Sequence, residues 1–565
     1  MSKKLAKEKI LKSLMSLYSE DEAEWVYTNI ERLVAKYQSK IIEEEEPLSE
    51  KDVILITYGD NVQQDGKSHL QTLKNFIDNY CLPEINTAHL LPCFPYTSDD
   101  GFSITDYYEI DPNLGSWNDM ETLAKSSNLM YDAVVNHMSK SSQWFQSYLA
   151  GEDAYKNYFI AVDPKQDLSK VMRPRALPLL TPFKTNTGEE RHIWTTFSED
   201  QVDLNFKSPE VFIAILDVLL FYVSKGGKFI RLDAIAFLWK EIGTNCIHLP
   251  QTHTIIKLYK EVLRILTSNI YLITETNVPH KENVSYFGNG VDEADLVYNF
   301  SLAPLLVYSI MKGKVEKLFN WAQSLKLPSN KVCFFNFTAS HDGIGMRPLQ
   351  GIIPDEEIGL LAKRAENHGG MVGYKNNEDG TQSPYELNCN YMDLLSHPSE
   401  DTTTRIAKMM LTQSVMMAMP GIPGIYFHSL VGSQNYYEGV EKSGIKRRIN
   451  REKLDFNVLA KELSEKSSLR YHIFTSFKEL LSIRTEQRAF NPLSKADYFK
   501  SDDSRIFVIR RMNKGETVYA IYNFSDETAE MDALSQNVYD LINKKEVVGN
   551  TWKIEPFNFY WFRAN

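Results

Sequence analysis

The sequence predicts an α/β fold, a closed TIM barrel of eight parallel strands with inserted loop subdomains and two appended regions. Eight short apolar runs alternate with amphipathic stretches, and eight such βα units close into a barrel more readily than they form an open sheet. The 565 residues exceed one ordinary core, which fits a large barrel with insertions. Carboxylates end several of the runs, so they are expected at one face of the barrel.

The predicted strands are short runs rich in β-branched and aromatic residues, as in strands buried on both faces. They are VILITY at 53–58, TAHLL at 87–91, LMYDAVV at 129–135, KFIRLD at 228–233, NIYLITE at 269–275, DLVYNF at 295–300, VCFFNF at 332–337 and GIYF at 424–427. Amphipathic stretches such as PEVFIAILDVLLFYVSK separate several of them and are predicted helices.

Changes of pattern divide the chain into three predicted regions. Residues 1–50 have helical spacing of apolar positions and end near the acidic run IIEEEE, so they are predicted as a helical N-terminal extension with a solvated acidic face. Residues 51–480 contain the barrel, with long insertions at 138–204 and 343–400 that are expected to cover the substrate. Residues 481–565 alternate apolar runs with turns, which predicts a small antiparallel C-terminal β domain.

Composition and charge narrow the classes of function. A net charge of −12 argues against nucleic acid or an anionic membrane as partner, so small molecules are expected. The five scattered cysteines have no metal-binding spacing and indicate reduced thiols of a cytoplasmic protein. No apolar signal core and no run of about 18 apolar residues is present. A monomer or homodimer is expected.

Three carboxylates at the ends of predicted strands are the leading candidates for catalysis. Asp233 ends FIRLD, Glu275 ends LITE and Asp342 follows FTASH. The C-terminal tips of parallel barrel strands share one face, so these acids are expected to converge on one pocket. One such acid is often only a salt-bridge partner at the barrel rim, whereas three at matching strand ends indicate a carboxylate-driven active site.

Two of these carboxylates suit glycosyl transfer with retention, which needs two carboxyl groups about 5–5.5 Å apart. Asp233 follows Arg231 on the same strand face, and the guanidinium is expected to keep the pKa of this nucleophile low. Glu275 has no adjacent Arg or Lys and is expected to stay protonated near neutral pH as the general acid. His341 and Asp342 are expected to hold sugar hydroxyls and favour the transition state.

Four ordered motifs resemble those of the α-amylase clan of retaining α-glycosidases. DAVVNH at 132–137, FIRLDAIAF, LITET and FTASHDG are similar to its first, second, third and fourth motifs. The resemblance implies that Asp233 is the nucleophile, Glu275 the acid/base and Asp342 the transition-state stabiliser. It also implies that three further residues surround the transferred glucose: Arg231, His137 and His341.

The sequence departs from the calcium-dependent amylases of that clan. Their second motif usually continues as Lys-His, and Ala236 and Phe237 occupy those positions here. Asn136 corresponds to a calcium ligand in amylases and is expected to keep a structural role. We therefore expect neither a metal nor a cofactor.

Further segments resemble the sucrose phosphorylases of the same clan. In the loop FPYTSDDGFSITDY the resemblance implies that Asp99 grips glucose and that Phe102 stacks on it. The segments QVDLNFKSP, MRPRALP, SPYELN and RRINR match the same subfamily and imply as site residues Gln201, Arg175, Tyr385 and Arg451.

A phosphorylase transfers glucose to inorganic phosphate, so hydrogen-bond donors are needed at its acceptor site. Arg175 carries five donors in a fixed geometry and is the expected phosphate clamp, and Tyr385 could supply a further hydroxyl. The expected reaction is reversible: an α-glucoside and phosphate give α-glucose 1-phosphate and a free acceptor, with retention.

The acceptor is assigned mainly by resemblance. Sucrose phosphorylases typically have Gln after the loop Tyr, where this chain has Glu386. The segments PRALPLLTPF, GTNCIHLPQTHTIIKL, TETNVPHKENVSYFG and ASHDGIGMRPLQG resemble glucosylglycerate phosphorylases, which implies D-glycerate as acceptor. Arg347 or Lys375 is expected to bind its carboxylate, and Glu386 to accept from a hydroxyl or pair with a cation.

Other functions stay open from the sequence. They are a sucrose or sucrose 6-phosphate phosphorylase, a glucosylglycerol phosphorylase, an α-glucoside hydrolase and a catalytically inactive barrel that serves as a binding subunit. The intact set of Asp233, Glu275 and Asp342 argues against an inactive barrel. Dependence of substrate breakdown on phosphate separates a phosphorylase from a hydrolase.

Overall fold

A closed barrel of eight parallel strands forms the centre of the structure. The structure, a computed structural model, describes residues 3–41, 47–175, 177–376, 381–535 and 537–564. The barrel strands are β1 (Ile54–Thr57), β2 (Thr87–Leu90), β3 (Asn128–Ala133), β4 (Gly227–Leu232), β5 (Tyr271–Thr274), β6 (Leu296–Tyr298), β7 (Cys333–Phe337) and β8 (Ile422–Tyr426). Each predicted run overlaps one of them, and β3, β4 and β8 begin one or two residues before their runs. The predicted TIM barrel is therefore confirmed.

Strand order in the barrel follows the chain, and the sheet closes where β1 pairs with β8. Ile54 lies opposite Gly424 at this closure, and the same Ile54 lies opposite Thr87 on its other side. The strands are almost entirely buried because side chains fill the interior while helices cover the outside. This double burial explains why each strand is a continuous apolar run and not an alternating one.

Helices surround the barrel. They include His69–Phe76, Trp117–Leu123, Pro209–Ser224, Pro250–Leu266, Leu302–Lys312, Glu316–Ser324, Thr402–Ala418 and Leu469–Glu486. Proline begins two of them, where its fixed φ suits the first turn and its missing N–H is not needed. Further helices follow β5 and β8: His280–Asn283, Phe427–Leu430, Tyr437–Ser443 and Phe456–Ser464.

The N-terminal extension is helical, as predicted, and consists of Lys3–Leu14 and Glu20–Tyr37. Ser19 and Glu22 form a reciprocal capping box that starts the second helix. That helix packs on the barrel helix Pro209–Ser224, and Lys36 Nζ lies 2.7 Å from Asp217 on it. The Glu residues of IIEEEE, whose predicted role was a solvated face, lie outside the described residues.

Two insertions stand over the C-terminal ends of the strands, after β3 and after β7 as predicted. The first contains helix Gln143–Ala150, the paired strands His137–Ser139 and Gln201–Asp203, and the hairpin of Leu180–Lys184 with Glu190–Trp194. The second contains helices Asp355–Asn367 and Tyr391–Leu395 and a three-stranded sheet, here called the insertion sheet. Its strands are Ile344–Gly345, Met371–Asn376 and Gln382–Asn388.

An antiparallel β sheet ends the chain, as predicted from the turn pattern. Its strands are Ala496–Lys500, Ile506–Asn513, Glu516–Asn523, Asn537–Asp540, Lys545–Val548 and Phe559–Ala564, beside the pair Ala529–Asp532 and Thr551–Ile554. The region boundaries at 50/51 and 480/481 stay predictions. Over the described ranges, no helix is both long enough and apolar enough to span a membrane.

Two buried arginines bind the end of one barrel helix: Arg511 from this sheet and Arg484 from helix Leu469–Glu486. Arg511 Nη1 donates to the carbonyl of Ala418 at 2.7 Å, and Arg484 Nε donates to that of Met417 at 3.1 Å. Both carbonyls lie at the C-terminal end of helix Thr402–Ala418, where the last carbonyls have no partner within the helix. The guanidinium groups satisfy them, and their positive charge suits that end of the helix dipole.

Candidate active site

The three acidic strand ends line one pocket at the C-terminal face of the barrel. Asp233 follows β4, Glu275 follows β5 and Asp342 lies five residues after β7. All but two of the other predicted site residues line the same pocket: Asp99, Phe102, His137, Arg175, Gln201, His341, Arg347, Tyr385 and Glu386. The structure therefore brings these residues together, while their individual roles stay predictions.

The two remaining predicted residues lie behind the pocket wall. Arg231 is buried below Asp233, and Arg451 donates from Nε to the carbonyl oxygen of His341 at 2.7 Å. Both act on pocket residues in this structure and do not line the pocket. Lys375, the second candidate for the acceptor carboxylate, is not among the lining residues either.

A buried chain of charges supports Asp233. Arg231 Nη1 lies 2.8 Å from Asp233 Oδ1 and 2.6 Å from Asp132 Oδ1, so one guanidinium nitrogen serves two carboxylates. His89 Nε2 lies 3.1 Å from the other Asp132 oxygen. The sequence analysis placed Asp132 in the first motif without a site role. His89 gave no local signal, because its partner is on the neighbouring strand.

The pKa of Asp233 is raised well above its usual value, which corrects the expectation that Arg231 keeps it low. Burial is the largest cause, Arg231 opposes it, and the carboxylates of Glu275, Asp132 and Asp342 raise the pKa further. The expectation was wrong because the guanidinium is shared with Asp132 and because the site concentrates four carboxylates around one arginine.

Glu275 also has a raised pKa, in agreement with the expectation of a protonated acid. Burial raises the pKa most, Arg231 opposes this effect and Asp342 adds to it. Glu275 Oε2 accepts from the backbone N–H of Ala234 at 3.1 Å. Ala234 has φ of 49°, in the left-handed region, so the chain turns sharply directly after Asp233. This turn brings the segment after β4 onto the tip of β5.

Arg447 is a site residue that the sequence analysis missed. Its Nη1 lies 2.7 Å from Asp342 Oδ1, and its Nη2 and Nε lie 2.8 and 3.2 Å from the two oxygens of Glu386. Although burial raises the pKa of Asp342, Arg447, His341 and Arg451 hold it well below its usual range. The available signal was the motif RRINR, from which only Arg451 was selected.

Glycine at position 343 lets the insertion sheet reach the catalytic face. A Cβ on Gly343 would lie 2.5 Å from Glu386 Cγ and 2.7 Å from the Leu387 carbonyl oxygen. Ile344 pairs with Leu387 directly after it. Any side chain at 343 would therefore push the strand that carries Tyr385 and Glu386 away from Asp342.

Aromatic and polar groups form the wall of the pocket near Phe102. The Phe102 ring stacks on His341 with centroids 4.8 Å apart and planes 5° apart. Its carbonyl oxygen accepts from Gln201 Nε2 at 3.0 Å and lies 2.9 Å from His137 Nε2. Burial lowers the pKa of His341 to about 3, so its imidazole is neutral. The expected partner of Phe102 was glucose, and in this structure the ring orders His341.

Adjacent aspartates at the tip of the loop after β2 have separate partners. Asp99 Oδ2 accepts from Arg175 Nη2 at 3.0 Å and from Gln201 Nε2 at 3.2 Å. Asp100 Oδ2 accepts from Arg451 Nη1 at 2.7 Å, and its Oδ1 accepts from Arg448 Nη2 at 2.7 Å. The loop is thus tied both to the first insertion and to the segment after β8.

The acceptor side of the pocket is made by both insertions and by the loop after β5. It includes Arg175 from the first insertion and Arg347, Tyr385 and Glu386 from the second. The sequence analysis missed a group of lining residues whose positions depend on loop conformation: Pro174, Phe197, Thr276, Asn277 and Val278. Glu386 pairs with a cation, one of the two roles expected for it.

The Lys240 ammonium group lies beside Asn136, the residue that corresponds to a calcium ligand in amylases. Lys240 Nζ is 2.8 Å from Asn136 Oδ1 and 2.6 Å from Asp203 Oδ2. The same Asp203 accepts from the backbone and hydroxyl of Thr196. The Asn136 oxygen thus serves a side-chain cation. In the portion of the chain that is described, no group of three His, Cys, Asp or Glu side chains could hold a metal.

Three comparisons with known proteins agree on the family and fold of this chain. A family described as "Alpha amylase, catalytic domain" matches residues 83–343. A glucosylglycerate phosphorylase from Escherichia coli is 41% identical over 561 residues, which cover 99% of this chain and 100% of that protein. One from Spirochaeta thermophila is 44% identical over 480 residues, covering 85% and 81%. The crystal structure of sucrose 6F-phosphate phosphorylase from Thermoanaerobacter thermosaccharolyticum has the same fold, with a TM-score of 0.74, 24% identity and coverage of 88% and 98%.

Substitution of Lys240 by Met is expected to lower the free energy of unfolding by about 3–5 kcal/mol, because it leaves the buried Asp203 charge without its partner. Urea unfolding followed by circular dichroism measures this. Lys207→Met is the matched control, since the exposed Lys207 pairs with Glu241 and its Nζ lies 5.9 Å from the centroid of the Trp239 ring. Its loss should cost about 1 kcal/mol or less. Equal losses in the two variants would contradict a structural role for Lys240.

Proposed function

Because the chain belongs to the alpha-amylase family, in the group that contains the glucosylglycerate phosphorylases, we propose that it catalyses the reversible phosphorolysis of 2-O-α-D-glucosylglycerate. The products are α-D-glucose 1-phosphate and D-glycerate, so the enzyme is a hexosyltransferase. The observation that carries the proposal is one pocket that holds three carboxyl groups and three arginines: Asp233, Glu275, Asp342, Arg175, Arg347 and Arg447.

In the first step Asp233 attacks the anomeric carbon of the glucosyl group. The bond from that carbon to the glycerate oxygen breaks, and the carboxylic acid of Glu275 gives its proton to the departing oxygen. The product of this step is a covalent glucosyl–enzyme ester with inverted configuration and a free glycerate.

In the second step a phosphate oxygen attacks the anomeric carbon of the ester. The bond to Asp233 breaks and α-glucose 1-phosphate forms, with a second inversion and therefore overall retention. Glu275, now a carboxylate, regains a proton from phosphate or solvent. Because both steps are displacements at one carbon by similar oxygens, the sequence also runs from glucose 1-phosphate and glycerate to the glucoside.

The positions of the charges in the pocket support the two proposed carboxyl roles. Asp233 and Glu275 are both buried and both have raised pKa values, so together they retain a proton more readily than isolated carboxyls. Arg231 is 2.8 Å from Asp233 but 3.9 Å from Glu275. The pKa of Asp233 is raised even more than that of Glu275, chiefly by burial, but only one of the two needs to carry the shared proton. We place it on Glu275, because the guanidinium in direct contact with Asp233 stabilises the ionised form there, as the first step needs.

Asp342 stays ionised and faces the same pocket, which suits stabilisation of the positive charge that develops on the sugar ring. Arg447 keeps it ionised and, through its other nitrogens, ties it to Glu386. Asp342 is therefore held in position before substrate arrives, by the barrel on one side and, through Arg447, by the insertion sheet on the other. Such preorganisation is the main source of electrostatic catalysis.

Two arginines suit the two anions of the reaction. Arg175 and Arg347 both line the pocket, and Arg347 forms no ion pair with any carboxylate in the described ranges. An unpaired guanidinium at the acceptor side favours a small carboxylate such as glycerate. Arg175 suits phosphate, and Tyr385 and Glu386 can hydrogen-bond to acceptor hydroxyls. The cytoplasmic location and the monomeric or homodimeric state stay predictions.

The proposed reaction is tested with α-glucose 1-phosphate and separate acceptors, with released phosphate as the readout. D-Glycerate is expected to give the fastest release, and fructose, fructose 6-phosphate and glycerol much slower release. Faster release with fructose would reject the glycerate assignment. Absence of release with every acceptor, together with hydrolysis of an α-glucoside in phosphate-free buffer, would reject the phosphorylase assignment.

Glu275→Gln is expected to lower phosphorolysis of glucosylglycerate by about a hundredfold or more, because the leaving oxygen loses its proton donor. With α-glucosyl fluoride, whose leaving group needs no proton, phosphate-dependent fluoride release should persist. The wild-type rate with the natural glucoside should fall as pH rises through the raised pKa of Glu275, and the fluoride reaction should lack this alkaline limb. Asp233→Asn is the control and should lose both reactions. Survival of the alkaline limb with the fluoride would reject the acid role.

Arg347→Gln is expected to raise the KM for D-glycerate about tenfold or more, since a charge-assisted hydrogen bond contributes about 1.5–3 kcal/mol. The KM for α-glucose 1-phosphate should change far less. Lys375→Gln removes the same charge from the same insertion at a side chain outside the pocket lining, and should leave both constants near wild type. A larger effect of Lys375→Gln would transfer the carboxylate-binding role to Lys375.

A further inference from the structure

The loop after β2 holds two neighbouring carboxylates in very different ways. Asp100 is bound by two arginines, and one of them, Arg451, is 2% exposed and anchored on the His341 carbonyl. Asp99 is bound by Arg175, whose side chain is 33% exposed, and by the amide of Gln201. The buried Arg451 fixes Asp100 outside the pocket lining, whereas Asp99 and Arg175 both line the pocket, where a ligand can reach them.

The backbone at this tip supports a built arrangement. Asp99 and Asp100 have φ of 55° and 47°, both in the left-handed region, which costs non-glycine residues about 1–2 kcal/mol each. Strained residues persist where surrounding contacts hold them, and they cluster at ligand clamps. Here the ion pairs of Asp100 hold the turn, and the turn presents the Asp99 carboxylate to the pocket.

The ion pair between Asp99 and Arg175 uses the groups that each residue needs for its proposed ligand. The proposed function requires Asp99 to accept from glucose hydroxyls and Arg175 to bind phosphate, yet Arg175 Nη2 and Asp99 Oδ2 are 3.0 Å apart and bound to each other. Both residues line the pocket. Phosphate that approaches Arg175 therefore meets a guanidinium whose charge is already compensated, next to a carboxylate that repels it.

We propose that the ion pair with Asp99 holds Arg175 away from phosphate and that a glucosyl group bound to the Asp99 carboxylate releases it, so that occupancy of the glucose site raises the affinity for phosphate. This inference rests on the proposed function, which assigns phosphate to Arg175. It makes Asp99 a positioning residue for the phosphate site in addition to its expected contact with glucose.

The exchange conserves hydrogen bonds. A glucose hydroxyl donates to Asp99 Oδ2 in place of the guanidinium, and Arg175 then presents its parallel N–H groups to phosphate. Although burial raises it, the pKa of Asp99 is lowered to about 2, chiefly by Arg175 and Arg447. Asp99 is thus an anion at neutral pH while it is paired with Arg175. Because binding linkage is reciprocal, phosphate must raise the affinity for glucose by the same factor.

This coupling has a consequence for the reaction. Phosphate binds weakly to the free enzyme and more tightly once the glucosyl ester has formed on Asp233. Free phosphate therefore competes little with an incoming glucoside, and the nucleophile of the second step is recruited when it is needed.

Titration calorimetry with inorganic phosphate tests the inference, with and without saturating D-glucose. In the wild type, glucose is expected to tighten phosphate binding about fivefold or more, the range of measured couplings between sites. Asp99→Asn should tighten phosphate binding about as much without glucose and should abolish the effect of glucose. Glu109→Gln removes the same charge from an exposed side chain of the same connection after β2, and should change the phosphate affinity of the free enzyme less than about twofold.

Equal shifts in Asp99→Asn and Glu109→Gln would overturn the inference, because they would reflect net charge alone. An unchanged phosphate affinity of the wild type on addition of glucose would also overturn it, and this arm needs no variant. Arg175→Ala reports separately on the premise: with saturating D-glucose present, a phosphate affinity equal to that of the wild type would reject Arg175 as the phosphate site. The reaction itself is judged independently by phosphate release from α-glucose 1-phosphate with D-glycerate. Melting curves verify that the variants are folded.

Discussion

Compensation of buried negative charge is the constraint on which the active face of this protein depends. Asp132, Asp233, Glu275 and Asp342 gather at the ends of neighbouring strands, where burial makes each ionised carboxyl costly unless it is paired. Arg231 on β4 pairs with Asp132 and Asp233. Arg447, from the segment after β8, pairs with Asp342. With fewer cations than carboxylates, the site keeps a proton, and an enzyme that needs one acid and one nucleophile can use that proton.

The same constraint explains why the insertions are built as they are. Arg447 joins Asp342 to Glu386 on the insertion sheet, and Gly343 provides the space for that strand to approach. Asp100 joins the loop after β2 to Arg448 and Arg451. Each contact neutralises a charge and also closes the pocket from one side. Ion pairs at the pocket wall therefore position these loops together with their buried apolar residues, such as Ile104 and Leu387.

The sequence predicted the barrel well because its signals are local. A strand covered on both faces must be apolar along its whole length, so eight runs gave eight strands, and the acids that follow β4 and β5 had to meet at one face. The pairing of charges was harder to predict. Arg231 was expected to lower the pKa of Asp233, but Asp132 on the next strand shares that guanidinium and burial outweighs its effect.

The sequence alone determined the strand count, the three strand-end carboxylates and the resemblance to phosphorylases that transfer glucose with retention. Only the tertiary structure decided which cation serves which carboxylate: Arg447 for Asp342 and Glu386, Arg451 for Asp100, and Arg175 for Asp99. The physical reason is distance along the chain. Strand formation follows from a few adjacent residues, whereas a Coulomb contact a few ångströms long can join residues that are 351 positions apart, as Asp100 and Arg451 are.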